Sequence, residues 1–351
     1  MATEIKPEAE EFLTLQEIYL KAKKNLKMEI FDYFAGGADS ETTLKRNQEA
    51  MSHFEFRARM LHDVSAIDTS TTFLSIPLAM PVMIAPMASL GLINPKADIL
   101  MAKAAAHTGT LHWVSTRTSL SLEDVIAAAP DSLIFQLYWR GDNKWCKKLI
   151  KLIETLGFRA IALTVDAPMY GRRERDLRNR FNHRILPHGI QMPMDRTLRE
   201  STLTWKDVSW LKKKTKLPLI LKGIQTAEDA KLAIKHGIDC IYISNHGGRQ
   251  LDFAPPTIDI ISEIVDVVRK RSEIIADSGF TRGSDILKAL ALGVKAVLIG
   301  KLAAWGLAAS GEEGVVRTLE LLKLELITTM ANIGCKNINE IKPHLLRHSC
   351  L

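Results

Sequence analysis

Leu219-Ile220-Leu221-Lys222, the segment Thr226 to His236 closed by Gly237, and Cys240-Ile241-Tyr242-Ile243-Ser244 read together as strand, helix, strand. Each apolar run is too short for a helix and ends on a polar residue, while the segment between them has helical spacing and stops at a glycine placed for a C-cap. Working outward, the same unit recurs. Further apolar runs are Val82 to Ala85, Leu111 to Ser115, Leu133 to Tyr138, Ala160 to Val165, Ile274 to Asp277 and Ala296 to Ile299, which makes eight in all. Helix-like stretches such as Pro95 to His107, Ser121 to Ala129, Lys144 to Leu156, Thr257 to Lys270 and Ser284 to Leu292 separate them. Strands that are apolar along their whole length need both faces covered, and eight such strands, each followed by a helix, predict an α/β fold of the (β/α)₈ TIM barrel type. A doubly wound sheet rarely requires eight such units.

The first eighty residues fall outside the repeat, with Leu15 to Phe34 reading as helices and Ile67 to Ile76 as short strands. The expected organisation is a single domain: an N-terminal helical cap over 1–80, a barrel over 81–335 and a tail over 336–351. The connection from Ala167 to Leu203, after strand 4, is far longer than an ordinary βα loop, and a long loop in a compact domain is usually functional, so residues 168–203 are read as a lid loop.

The chain has 351 residues, 46% hydrophobic and 25% charged, a composition that supports a large core and excludes disorder. No run of about 18 apolar residues is present, and the acidic Met1 to Glu11 does not resemble a signal peptide, so neither a membrane nor secretion is expected. Cys146, Cys240, Cys335 and Cys350 are far apart and form no CxxC pair, which argues against a disulfide framework, a metal site and an oxidising compartment. The net charge of +7 has one concentrated source, Gly171 to Glu200, with eight arginines against four acids. Without an aromatic stacking array, that segment reads as a solvated surface or a small-anion site and not as a nucleic-acid groove.

In a barrel of this kind the chemistry gathers at the C-terminal ends of the strands. The polar residues closing the apolar runs are Ser115, Gln136 with Tyr138, Thr164 with Asp166, Lys222, Ser244 with His246, Asp277, and Gly300 with Lys301. The segment Ser244-Asn245-His246-Gly247-Gly248-Arg249-Gln250-Leu251-Asp252 delivers a base from a strand end and, through two glycines, an arginine suited to a carboxylate. A histidine at one rim with Arg249, Asp166 and Lys222 is a general-base candidate, and Asp166 would stabilise its imidazolium. Lys222 also admits a Schiff-base role or a buried salt bridge. Asp277 to Gly283 and Ile299-Gly300-Lys301 fit the phosphate site usual after strands seven and eight, where glycine backbones approach the oxygens and Arg282 or Lys301 adds charge.

These residues resemble the FMN-dependent 2-hydroxy acid oxidases and dehydrogenases from about Phe31 to Cys335. The likeness is carried by Asp32-Tyr33-Phe34-Ala35-Gly36-Gly37-Ala38, Ile84-Ala85-Pro86-Met87-Ala88, Phe135-Gln136-Leu137-Tyr138, Leu163-Thr164-Val165-Asp166, Leu221-Lys222-Gly223, the Ser244 to Asp252 block and Lys288 to Gly293. The resemblance implies FMN as cofactor and His246 as the base with Asp166 as its partner. It further implies Arg249 and Arg173 on the substrate carboxylate, Tyr138 near the substrate hydroxyl and Lys222 beside the flavin N1/O2 edge. Ser115, Gln136, Thr164 and Ser244 would contact the isoalloxazine, with Pro86, Met87 and Ala88 along the edge near N5. Asp277, Gly279, Thr281, Arg282, Gly300 and Lys301 complete the expected cofactor site.

The departures shape the expected substrate. By ungapped alignment the family's carboxylate-binding tyrosine falls on Ile18, with Tyr19 turned away by about 100° on a helix. A tryptophan common after strand two is replaced by Arg117, and phosphate arginines by Thr281 and Lys301. The expectation is therefore oxidation of a 2-hydroxy acid to a 2-oxo acid, with Arg117 and Ile18 accommodating a larger or doubly anionic substrate. The small Ala88 favours oxygen as acceptor. Alternatives are a flavin-binding relative with altered or lost hydroxy acid activity, acting in an assembly, and a flavin-free lyase using Lys222. The resemblance also implies a homo-oligomer, tetramer or octamer. The expected location is cytoplasmic, because the terminal Ser349-Cys350-Leu351 lacks the basic middle residue of a peroxisomal signal.

Overall fold

A computed structural model describes residues 12–181 and 199–349. Its centre is a closed barrel of eight parallel strands: β1 (Val82–Ile84), β2 (His112–Ser115), β3 (Leu133–Leu137), β4 (Ile161–Thr164), β5 (Leu219–Ile224), β6 (Cys240–Ile243), β7 (Glu273–Ala276) and β8 (Ala296–Ile299). The (β/α)₈ reading of the sequence holds. Each strand pairs with its sequence neighbours, and β8 returns to β1 through Val297↔Val82.

Strand periodicity of two explains what fills the interior. Met83, Trp113, Ile134, Ala162, Ile220, Tyr242, Ile275 and Leu298 point inward as one buried apolar group. Two residues further along every strand path stand Ala85, Ser115, Gln136, Thr164, Lys222, Ser244, Asp277 and Gly300. The polar strand ends of the sequence are thus one inward-facing level above the apolar plug. A hairpin of Thr71–Phe73 and Ile76–Leu78 closes the opposite end, with Phe73 stacked 6.0 Å from Trp113.

The N-terminal helices α1 (Leu15–Asn25), α2 (Met28–Ala35) and α3 (Thr42–Glu49) reach the barrel from outside. Thr14 caps α1 through the Glu17 amide, and Leu15, Ile18 and Ala22 form its buried stripe. That stripe packs against a long helix, Lys301–Ile333, which is broken at Ser310 and Gly311. The tail does not trail away: Leu346–His348 pairs antiparallel with Phe54–Phe56. Of the long connection after β4, residues 182–198 lie outside the described residues, as do the terminal Cys350 and Leu351. Cys146, Cys240 and Cys335 are buried and not joined in disulfides. Among the described residues no helix is long and apolar enough to cross a membrane, and no group of His, Cys, Asp or Glu is arranged to hold a metal ion.

Candidate active site

A cavity of about 510 Å³ opens at the C-terminal mouth of the barrel. Its wall includes Pro86, Met87 and Ala88 after β1, Arg117 after β2, Tyr138 and Arg140 after β3, Arg173 after β4, and Lys222 on β5. His246 and Arg249 follow β6, Asp277, Gly279 and Thr281 follow β7, and Gly300 and Lys301 follow β8. Beneath the wall, Ser115 Oγ donates to Gln136 Oε1 at 2.9 Å and Gln136 Nε2 donates to Thr164 Oγ1 at 2.8 Å. On the far side Lys222 Nζ donates to Ser244 Oγ at 2.9 Å and stands 3.6 Å from Asp277 Oδ2. The buried polar level is therefore mutually bonded, as burial of polar groups demands.

His246 adopts a left-handed backbone, φ 60°, which for a residue other than glycine costs on the order of 1–3 kcal/mol and persists only where its surroundings enforce it. Here Ser244 Oγ accepts the His246 amide at 3.0 Å, and Ser278 Oγ accepts that of Gly247 at 2.9 Å. The strained turn aims Nδ1 at Asp166, 3.1 Å from each carboxylate oxygen, and leaves Nε2 facing the Tyr138 hydroxyl at 3.4 Å. Gly223, φ 106°, permits that approach, since a Cβ there would lie 2.5 Å from the Asp166 Cβ. Burial pushes the His246 pKa down, more than the Asp166 carboxylate pushes it up. For Asp166 burial acts upward, and the charges of His246 and Lys222 outweigh it, so the carboxyl titrates below its ordinary range. The pair is a neutral imidazole oriented by a carboxylate, with Nε2 free to take a proton.

Opposite stand two arginines, Arg173 buried and Arg249 partly buried. Arg249 Nη1 donates to the carbonyls of Phe34 at 3.2 Å and Gly36 at 2.8 Å, at the C-terminus of α2. Burial, and then the neighbouring Arg173, lower its pKa to about 10. Arg173 keeps Nε and Nη1 buried without a hydrogen-bond partner among the described residues, an arrangement that an anion in the cavity would relieve. Between the guanidinium groups lies the ring of Tyr33, its centroid 5.2 Å from Arg249 and 5.7 Å from Arg173. Burial resists ionisation of that phenol, but the two arginines more than compensate and its pKa is lowered.

Two expectations are corrected by this geometry. Ile18 does not reach the cavity: it is fully buried on the α1 stripe, where helical spacing turns it into the apolar core. The tyrosine beside the carboxylate arginines is Tyr33, and no phenol is missing. Its sequence signal is the Asp32 to Ala38 motif, where the phenol directly follows Asp32. Arg282 also faces away, because as N-cap of the helix Gly283–Leu292 it projects outward to pair with Glu325 at 2.8 Å. Sequence reasoning also passed over Tyr170, Arg140 and Glu200 on the wall, and the reciprocal amide pair Asn47 and Asn245, at 2.9 and 2.7 Å, which fastens α3 to the loop after β6.

The residues present fit FMN. At Gly300 a Cβ would stand inside the cavity, 3.6 Å from Met87 Sδ, and at Gly279, φ 96°, a Cβ would strike the Asn47 carbonyl at 2.2 Å, so backbone lines this end. Lys301 begins the long C-terminal helix, whose free amides attract a phosphate. Its ammonium donates to the Ala35 carbonyl at 2.7 Å, and burial together with Arg249 holds its pKa far below the ordinary lysine value, a cost that a phosphate dianion would offset. Lys222, on the cavity wall, would supply a cation for an anionic ring.

Residues 22–348 match the family model of the FMN-dependent dehydrogenases. Glycolate oxidase 1 of Zea mays is 40% identical across 97% of this chain and 97% of its own, and glycolate oxidase of Spinacia oleracea is 40% identical across 94% of each. Among solved structures, a mandelate oxidase superposes with a TM-score of 0.89 at 36% identity, covering 96% of this chain and 99% of that one. A mutant of an active chimera of (S)-mandelate dehydrogenase superposes with a TM-score of 0.88 at 34% identity, covering 95% and 99%. The barrel, the cavity at its mouth and these likenesses agree: the chain belongs to the family of FMN-dependent 2-hydroxy acid oxidases and dehydrogenases, with FMN as its cofactor.

Proposed function

We propose that the protein oxidises a 2-hydroxy acid to the 2-oxo acid, passes the electrons to oxygen, and prefers a substrate larger than glycolate that carries a second anionic or strongly hydrogen-bonding group. The observation that carries the chemistry is the His246 Nε2 set against Arg249 and the buried Arg173, whose Nε and Nη1 have no partner among the described residues. Arg173, Arg249 and Tyr33 bind and orient the substrate carboxylate, which places the hydroxyl-bearing carbon near His246. Nε2 takes the proton that leaves the substrate, and Asp166 stabilises the resulting imidazolium. Tyr138, its hydroxyl 3.4 Å from the same nitrogen, positions the substrate hydroxyl. FMN, when bound, supplies the two-electron acceptor. Oxygen as final acceptor is supported by the small Ala88 on the wall and by the oxidase names of the relatives.

The preference for a second polar group rests on Arg117, which lines the cavity and whose side chain forms no hydrogen bond or ion pair among the described residues. A guanidinium so placed is stabilised by an anion. The alternative of lost hydroxy acid activity rests on Ile18 and Arg117; Tyr33, beside both carboxylate arginines, weighs against the first of these grounds. An anaerobic bleaching screen over 2-hydroxy acids, followed by admission of oxygen and assay of peroxide, tests the proposal. Rapid bleaching with rapid reoxidation is expected. A flavin that no 2-hydroxy acid bleaches overturns the activity, slow reoxidation overturns the acceptor, and glycolate or lactate outpacing every dicarboxylate, aromatic and phosphorylated acid overturns the substrate preference.

A further inference from the structure

Beyond Tyr138 the cavity wall carries three charged groups to which the catalytic chemistry assigns nothing. Arg140 follows β3, Arg117 follows β2, and Glu200 lies in the 3₁₀ turn Arg199–Thr202. Arg140 Nε stands 2.5 Å from Glu200 Oε1, yet the atoms meet as an ion pair and not as an aligned hydrogen bond. The Glu200 side chain is 5% exposed. The Arg140 guanidinium also lies over the Tyr138 ring, 5.6 Å from its centroid, and the hydroxyl of that ring faces His246. The charged group is therefore one tyrosine ring away from the base.

We infer that Glu200 occupies, from within the chain, part of a distal anion subsite built by Arg140 and Arg117, and that it sets the discrimination between singly and doubly anionic acids. The inference rests on the proposed substrate reading and deepens it. A carboxylate is costly to bury unless paired, and this one sits where the far carboxylate of a dicarboxylic substrate would meet the same guanidinium groups. Burial raises the Glu200 pKa, and the charges of Arg140 and then Arg117 oppose that rise, which places both arginines within electrostatic reach of it. Two cations against one internal anion leave net capacity for one distal negative charge. Glu200 admits that charge at Arg117 while repelling it from Arg140, a specificity device that combines an attractive and a repulsive element. A residue that merely pinned its own turn would affect folding or all ligands alike.

The test uses holoenzyme and a matched pair of ligands, glutarate and pentanoate, which lack the hydroxyl and bind without turnover. Their dissociation constants are read from perturbation of the flavin absorbance. Glu200→Gln keeps the shape and removes the charge, and it is expected to shift the ratio of constants at least about tenfold toward glutarate, the scale on which an uncompensated like charge discriminates. Glu200→Asp keeps the charge and is expected to leave the ratio within about twofold of wild type; a shift equal to that of the Gln variant would mean volume and not charge, and would overturn the inference. Arg117→Ala should shift the ratio toward pentanoate. If Arg117→Ala shifts it and Glu200→Gln does not, the role of Glu200 fails alone. If Arg117→Ala leaves it unmoved, the doubly anionic substrate reading fails, whatever Glu200 does.

Discussion

His246 Nδ1 is equidistant, at 3.1 Å, from the two carboxylate oxygens of Asp166, although one residue follows β6 and the other β4. Only β5 separates those two strands in the barrel, and its parallel pairing with each, on either side of Lys222, brings their ends together. Burial lowers the His246 pKa, and the carboxylate opposes that shift while orienting the ring.

His246→Ala should retain FMN but reduce the rate of flavin reduction by at least about 100-fold, the scale of a lost general base. The base works unprotonated, so kcat/KM falls as pH drops through its pKa. Burial lowers that pKa, and the acid limb should lie below about 6.5. The Asp166 charge acts upward, so Asp166→Asn should move the limb further down and slow the reaction. A limb that rises in Asp166→Asn contradicts the assignment.

The correction at Ile18 separates binding from packing. Tyr33→Phe should weaken 2-hydroxy acid binding by roughly 10- to 150-fold, the equivalent of about 1.5 to 3 kcal/mol for a hydrogen bond to a charged group. Ile18→Ala should instead cost about 2–5 kcal/mol of stability, as truncation in a packed core does, with KM essentially as in wild type. Thermal melts beside steady-state kinetics on both variants check this; a raised KM in Ile18→Ala would return that residue to the substrate.

Lys301 and Arg282 were indistinguishable as phosphate ligands until the helix starts were placed. Lys301→Ala should raise the FMN dissociation constant by roughly 10- to 150-fold. Arg282→Ala, which loses only an exposed pair with Glu325, should leave the constant near the wild-type value. Fluorescence titration of apoprotein with FMN reads both, and equal effects would place Arg282 in the site.

Asp252 accepts the Ser40 amide at 3.1 Å and the Thr43 amide at 2.8 Å, tying the loop after β6 to the start of α3. Burial raises its pKa, but the Ser40 hydroxyl, which donates to Oδ2 at 2.5 Å, and the backbone amides beginning with Thr43 outweigh burial and bring it to about 2. A depressed carboxyl pKa contributes stability that is complete above the unfolded value of about 3.9 and is lost as pH falls through the folded one. Asp252→Asn should therefore be less stable than wild type at neutral pH, with the difference shrinking between about pH 4 and 2. A constant difference in urea midpoints across that window would rule out the linkage.

Strand order, barrel closure and the identity of the polar strand ends were legible because they follow from local rules. A period of two sends Trp113, Ser115 and their counterparts to the same interior, and a glycine such as Gly237 stops a helix wherever the fold places it. The Ser244 to Asp252 segment was legible for the same reason, since its base, glycines and arginine act within one turn of chain.

What the sequence by itself determined was this inventory: eight apolar strands, the residues at their ends, and a family motif containing His246 and Arg249. The tertiary structure alone decided which of several eligible side chains face the cavity. Ile18 and Tyr33 both lie on N-terminal helices, and only the docking of those helices sends the first into the core and the second between two arginines. Arg282 and Lys301 both sit at helix starts, and only the direction of each helix assigns one to solvent and the other to the α2 carbonyls. Glu200 meets Arg140 although the two are far apart in sequence. Contacts between residues distant in sequence depend on how rigid elements pack, and no local periodicity encodes that.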